Sequence, residues 1–254
     1  MALIKHEIPI LEYDDCQEAV IMPGRHPFKL PKKAVFAFLS DCVDEYARAH
    51  DCPVIEEFES ATKMYPVYCV NFEGQEIALC QAPVGSAPAT QILDWLIAHG
   101  VEAVISAGSC GALVDLPENT FLVPARALRD EGTSYHYLAP SRFVEIDREA
   151  MKAIETVLIR HHFPYRECIT WTTDGFFRET REKVEYRRSE GCAVVEMECA
   201  ALEACAKFRG AKFGQILFTA DTLADMEHYD ERGWGGDSFP LALLLCLEAA
   251  AELK

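Results

Sequence analysis

Short apolar runs, rich in β-branched residues, alternate along this chain with longer amphipathic stretches. The runs fall at 18–22, 65–70, 76–81, 101–106, 120–123, 168–171, 193–195 and 215–219, each bounded by polar or turn-forming residues. That length and composition predict buried strands. Amphipathic stretches near 31–50, 87–99, 147–162, 179–189 and 198–209 predict helices. In the last of these Ala201, Ala204, Cys205 and Phe208 repeat at helical spacing along one face. The segment NFEGQE at 71–76 is short enough to be a hairpin turn, whereas most other strands are separated by a helix, so the sheet should be mixed. The final stretch, 239–253, is apolar nearly all round and predicts a helix buried against the sheet or against a partner subunit. No linker or internal repeat divides the chain. The expected fold is α/β, a single domain over 1–254 with a central mixed β-sheet flanked by helices.

Composition narrows the function classes. At 254 residues, half of them hydrophobic, the chain can bury a full core, which excludes a disordered or low-complexity protein. A net charge of −17 opposes binding to nucleic-acid phosphate and to anionic lipid, so any anionic ligand needs a local pocket. No stretch is apolar for long enough to span a bilayer and no signal-like segment opens the sequence, so a cytoplasmic protein is expected. The 11 cysteines are scattered, without a C-x-x-C pair. They read as small buried hydrophobes in a reducing compartment, with no metal site.

In a sheet of this kind ligands gather at the carboxyl ends of the strands, so the loops that follow strands should carry the chemistry. The loop MPGRHPFK at 22–29 can aim backbone N–H groups near Gly24 at an anion, with Arg25, His26 and Lys29 beside it, or it can be a surface turn. The loop AGSCGAL at 107–113 combines the close backbone approach of Gly108 and Gly111 with the Ser109 hydroxyl. That suits a phosphate, or simply a tight crossing of the chain; a dinucleotide fingerprint would need a third glycine. In TTDGFFRET at 172–180, Phe176 and Phe177 stand beside charged groups and can either wall a flat heterocycle or pack in the core.

The most informative run is VVEMECAAL at 194–202. Here an apolar strand leads into Glu196, Met197 and Glu198 and then directly into a helix of small residues. Two carboxylates at such a junction face desolvation and need partners. They can accept hydrogen bonds from the two vicinal hydroxyls of a ribose while the methionine packs under the sugar, or they can serve the helix dipole. Asp221, just past the strand at 215–219, can protonate a leaving nitrogen if its pKa is raised, or cap a turn.

Taken in order, the M-P-G turn, G-S-C-G-A-L, R-D-E-G-T-S-Y-H-Y (129–137), T-T-D-G-F-F-R-E-T and V-E-M-E-C-A-A-L with its trailing aspartate resemble the nucleoside phosphorylase family that contains uridine phosphorylase and the hexameric purine nucleoside phosphorylases. The resemblance covers most of the chain. It implies cleavage of a nucleoside N-glycosidic bond by phosphate, giving free base and ribose 1-phosphate, with no cofactor beyond phosphate as co-substrate. By residue, it implies that Glu198 holds the ribose hydroxyls, that Met197 packs on the sugar and that Phe176 stacks on the base, with Glu196 kept beside them as a substrate-binding candidate from the junction itself. It gives Gly24 and Ser109 to the phosphate site, to which the loop readings add Arg25, Lys29 and Gly108, and lets His6 reach the 5′-hydroxyl of a neighbouring subunit's ligand. A homo-oligomer, dimer or hexamer, follows from the same resemblance. Asp221 favours a purine, which its carboxyl would protonate; a pyrimidine such as uridine is the alternative. The chain departs from the family at the phosphate site, where Lys29 and Ser106 stand at expected arginine positions. That leaves two further readings: a nucleosidase, with water in place of phosphate, and a non-catalytic nucleoside binder.

Overall fold

The computed structural model describes residues 3–24 and 27–253. Ten strands form one mixed sheet among these residues: β1 (Lys33–Ala37), β2 (Val54–Glu59), β3 (Met64–Phe72), β4 (Gln75–Gln81), β5 (Ala103–Ala112), β6 (Phe121–Asp130), β7 (Phe143–Glu145), β8 (Tyr165–Thr173), β9 (Cys192–Glu196) and β10 (Lys212–Thr222). The helices are α1 (Cys42–Ala49), α2 (Ser86–Ala98), α3 (Arg148–Arg160), α4 (Arg181–Ser189), α5 (Cys199–Arg209) and α6 (Phe239–Glu252).

The sheet runs β10-β6-β8-β9-β5-β1-β4-β3-β2, and β10 also pairs with β5. Strands β5, β10, β6, β8 and β9 therefore close into a ring, and β1, β4, β3 and β2 extend from it as an open wing. Pairing is parallel for β1 with β4 and β5, for β10 with β5, and for β8 with β6 and β9. It is antiparallel in the β2, β3 and β4 meander. The expected hairpin is present: Glu73 and Gly74 join β3 to β4 with both φ angles positive, 49° and 79°. That two-residue geometry matches the strand twist.

Helices cover both faces. Ile154 and Val157 of α3 and Leu243 and Leu247 of α6 pack with Val35, Ile105 and Ile216 on one face. Ile92, Leu93 and Leu96 of α2 and Leu202 and Cys205 of α5 pack with Phe36, Val104 and Phe213 on the other. The apolar segment at the chain's end is the buried helix α6, which lies against β5, β1 and α3.

Two expectations near the N-terminus fail together. Residues 18–22 form no strand, and Val20 and Ile21 are 100% and 75% exposed. The first strand is β1, inside the stretch read as a helix over 31–50, and only α1 remains of that helix. A short apolar run such as KAVFA has no period that separates strand from helix. It lies between β4 and β5 and buries both its faces, with Phe36 and Val35 on opposite sides. Strand β2, VIEEFE, also went unpredicted because an edge strand with three glutamates shows no apolar alternation, and β7 is only three residues long.

Gly214 of β10 marks how closely α3 approaches the ring, since a Cβ there would stand 2.8 Å from Ala150 Cβ and 3.2 Å from the Ala150 carbonyl carbon. Neither atom can turn aside. Gly214→Ala is expected to destabilise the fold by about 1–3 kcal/mol, read as a lower urea midpoint with unchanged slope.

Candidate active site

A cavity opens where the parallel strands end. Phe38 comes from the loop after β1, Val84 from the loop before α2, and Gly108 to Gly111 from the second half of β5. Phe176 and Glu179 come from the loop after β8, Val195 to Glu198 from the β9–α5 junction, and Asp221 and Trp234 from β10 and the segment beyond it. The ends of adjacent parallel strands are where backbone groups and loop side chains converge without a helix in between.

The β9–α5 junction is built from hydrogen bonds to carboxylates. Glu196 Oε1 accepts from the hydroxyls of Thr172 at 2.6 Å and Thr170 at 3.0 Å, and Oε2 accepts the Glu198 and Cys199 N–H groups, each at 2.7 Å. Its four acceptor sites are filled. Glu196 borders the cavity but is a strut of the junction, with no lone pair left for a sugar, which corrects its expected role. Thr172 also accepts the Ala200 N–H at 3.0 Å, fixing the first turn of α5 to β8.

Glu198 then projects from the start of α5, where its Oε1 accepts the Gly85 N–H at 2.5 Å. Gly85 has φ +104°, a conformation that a side chain would strain, and it turns its N–H toward Glu198 just ahead of α2. Ser86 donates to the Met197 carbonyl at 2.5 Å, so α2 and α5 clamp the junction between their N-termini. The Gly85 and Met197 N–H groups both favour the charged form of Glu198, and its carboxyl borders the cavity, where a ligand can reach it.

Burial pushes the Glu198 carboxyl up to about 8, and the neighbouring Glu196 adds to the shift. Glu179 is likewise pushed up to about 8, first by burial and then by Asp221. Asp221 is raised by burial, against the Tyr229 hydroxyl that donates to its Oδ2 at 3.1 Å and the positive charge of Arg232. The cavity thus holds two carboxyl pairs, Glu196 with Glu198 and Asp221 with Glu179. In each pair burial favours a retained proton at neutral pH. Phe176 and Trp234, with ring centroids 6.5 Å apart, form a half-exposed aromatic wall beside them. Phe177 points outward, 92% exposed.

The structure splits the expected phosphate set. Gly108 and Ser109 line the cavity. Gly24 instead packs on Ala98 at the far end of α2, where a Cβ on it would lie 3.3 Å from the Ala98 carbonyl oxygen, and Lys29 is exposed beside Phe28, whose ring stacks on His99. One helix length, about 20 Å, separates that end from Gly85. Because β1 begins at Lys33, the loop that reaches the cavity is the one after Ala37, and MPG does not follow a strand at all. Arg25 lies outside the described residues. His6 is also outside this lining; its Nδ1 accepts the Ile8 N–H and its own N–H donates to Glu12. Arg129, in the R-D-E-G-T-S-Y-H-Y motif, is structural, its guanidinium spent on Ser134, Ser141 and the carbonyls of Leu138 and Ala139.

The sequence reading missed Glu179, Phe38 and Trp234 as lining residues. Glu179 had a signal, a carboxylate six residues past the end of β8. Phe38 was hidden by the misplaced first strand, and Trp234 sits in an irregular segment with φ 56° that no pattern marks.

Residues 34–239 match the phosphorylase superfamily, and the chain belongs to that family. It is similar to the guanosine phosphorylase of Halorubrum lacusprofundi, at 23% identity over 208 residues, 82% of this chain and 79% of that protein. Among solved structures, the purine nucleoside phosphorylase of Toxoplasma gondii superposes with TM-score 0.75 at 19% identity, covering 94% of this chain and 98% of that one. The AMP nucleosidase of Bacteroides thetaiotaomicron superposes with TM-score 0.71 at 23% identity, covering 87% and 88%. The mixed α/β fold is that of the nucleoside phosphorylases.

A third raised carboxyl, Glu203 of α5, isolates the effect of burial away from the cavity. It is fully buried, pushed up to about 8 from 4.5, and meets Lys207 Nζ at 3.3 Å. The folded protein keeps protons that the unfolded chain releases above 4.5, so these carboxyls make stability fall as pH rises from there to about 8. Glu203→Gln should flatten that fall, leaving the variant relatively more stable at pH 8 than at pH 5 when urea midpoints are compared with the parent chain.

Proposed function

We propose that this chain is an enzyme that cleaves the N-glycosidic bond of a purine nucleoside. The observation that carries the reading is one cavity that holds a fixed, buried carboxyl at the start of α5 together with a second carboxyl pair, Asp221 and Glu179. Glu198 takes the ribose hydroxyls, Met197 lies against the sugar, and the base enters between Phe176 and Trp234. As the bond lengthens, the sugar gains oxocarbenium character, which nearby carboxylate charge stabilises. Asp221 and Glu179, holding a proton between them, donate to the departing purine so that it leaves neutral.

The activities of the similar proteins support this reading at the level of bond and base. The guanosine and purine nucleoside phosphorylases act on purine nucleosides, and the Bacteroides protein is an AMP nucleosidase. They differ in the acceptor. Of the expected phosphate set, Gly108 and Ser109 line the cavity, and this reading is confined to the bond cleaved and the base released.

Glu198→Ala is expected to cut base release by about 100-fold or more while leaving the circular dichroism spectrum and urea midpoint near those of the parent chain. Near-normal turnover in that variant would remove the ribose assignment. Asp221→Asn should slow inosine or guanosine cleavage by about 100-fold and any uridine cleavage far less, as measured by chromatography of the released base. Equal losses would remove the leaving-group role.

A further inference from the structure

We propose that the ribosyl acceptor in this cavity is water, so that the chain hydrolyses nucleosides to free base and free sugar; this rests on the nucleoside reading above. The side chains that would meet an acceptor carry the wrong charge for phosphate. Four carboxyl groups line the cavity, Glu179, Glu196, Glu198 and Asp221, and among the described residues no lysine, arginine or histidine does. Arg178, between the lining residues Phe176 and Glu179, is exposed and does not line the cavity, and two further cations of the neighbouring segments are engaged elsewhere. Arg232 donates to the carbonyls of Leu116 and Ala220, and Lys183 pairs with Asp130. A phosphate dianion in a cavity of low dielectric, bordered by four carboxyl groups and by no lining cation, meets no compensating charge, whereas a neutral molecule needs none.

The floor under Gly108 is polar and uncharged. Ser106 of β5 and Gln215 of β10 are register partners, both fully buried. Ser106 Oγ and Gln215 Oε1 have no hydrogen-bond partner among the described residues, and Gln215 Nε2 lies 3.7 Å from where a Cβ on Gly108 would stand. Buried polar atoms left open in this way are where proteins hold water, and a hydroxyl with a carboxamide supplies donors and acceptors without charge.

The step balances without another reactant. The C1′–N bond breaks with its electron pair going to the base, which takes a proton from the Asp221 and Glu179 pair. The water oxygen forms the new bond to C1′, and the proton that it sheds passes to the carboxylate that the Glu196 and Glu198 pair, holding one proton between them, leaves ionised. One water is consumed, and base and sugar leave uncharged. A carboxylate that repels phosphate activates water, so the same negative charge selects the acceptor and serves the chemistry.

The test uses the purified full chain with inosine, guanosine, adenosine and uridine, in phosphate-free buffer and with phosphate at about 50 mM, well above ordinary KM values. Base is followed by chromatography and the sugar product by phosphorus and proton NMR, with Glu198→Gln purified in parallel. The expected result is base release without phosphate, a change of less than about two-fold on adding it, free ribose as the sugar product, and loss of release in the variant. Release that requires phosphate, or ribose 1-phosphate as the product, overturns water as the acceptor and leaves the nucleoside reading standing. Phosphate-free release that persists in Glu198→Gln overturns the proposal as well. No release from any nucleoside under either condition overturns the nucleoside reading and the proposal with it.

Discussion

The site depends on the satisfaction of one buried carboxylate. Glu196 sits at the end of β9 with two threonine hydroxyls on one oxygen and two backbone N–H groups on the other. Left without these partners, a charge in that position would be costly enough to distort the junction. With them, it ties β8, β9 and the first turn of α5 together, and the direction in which Glu198 leaves the helix is settled by bonds made before any ligand arrives. Gly85 and Ser86 complete the arrangement from α2. Two helices whose joined residues, Gly85 and Glu198, lie 113 positions apart thus meet over one dipeptide, which holds the Glu198 carboxyl in a single place.

The second carboxyl pair lies under different control. Asp221 and Glu179 have no full set of donors; burial raises both, and the charge of Asp221 adds to the shift of Glu179. One pair is therefore spent on structure and presentation, the other on holding a transferable proton. The division is possible because the two lie on different elements: one at a strand-to-helix junction rich in N–H groups, the other facing a loop and the end of β10. The overall charge of −17 makes the crowding less surprising, since the chain supplies few cations near the cavity to neutralise either pair.

Much of this was legible in the sequence, for a reason that can be stated. Strands such as β5, β8 and β10 are buried on both sides and read as apolar runs, and α3 and α5 show their periodic faces openly. The EME triplet and Asp221 were found because a carboxylate directly after an apolar strand is physically conspicuous. What stayed hidden depends on pairing partners far along the chain. KAVFA becomes a strand only because β4 and β5 flank it, and VIEEFE only because β3 pairs with it. Misplacing β1 by one segment moved the expected anion loop from Phe38 to Gly24, at the opposite end of α2. Glu196 was read as a ligand group because nothing in its local sequence reveals the hydroxyls of Thr170 and Thr172, more than twenty residues away.

The doubled pairing of β10 has a consequence for how this protein behaves in a crowded solution. By joining both β5 and β6 it leaves the ring without a long open border, so among the described residues β2 is the one long strand with unpaired backbone along a side. That strand carries Glu56, Glu57 and Glu59. Two copies approaching border to border would bring these like charges together along the line where new inter-chain ladders would form, a built-in deterrent to amyloid-like stacking.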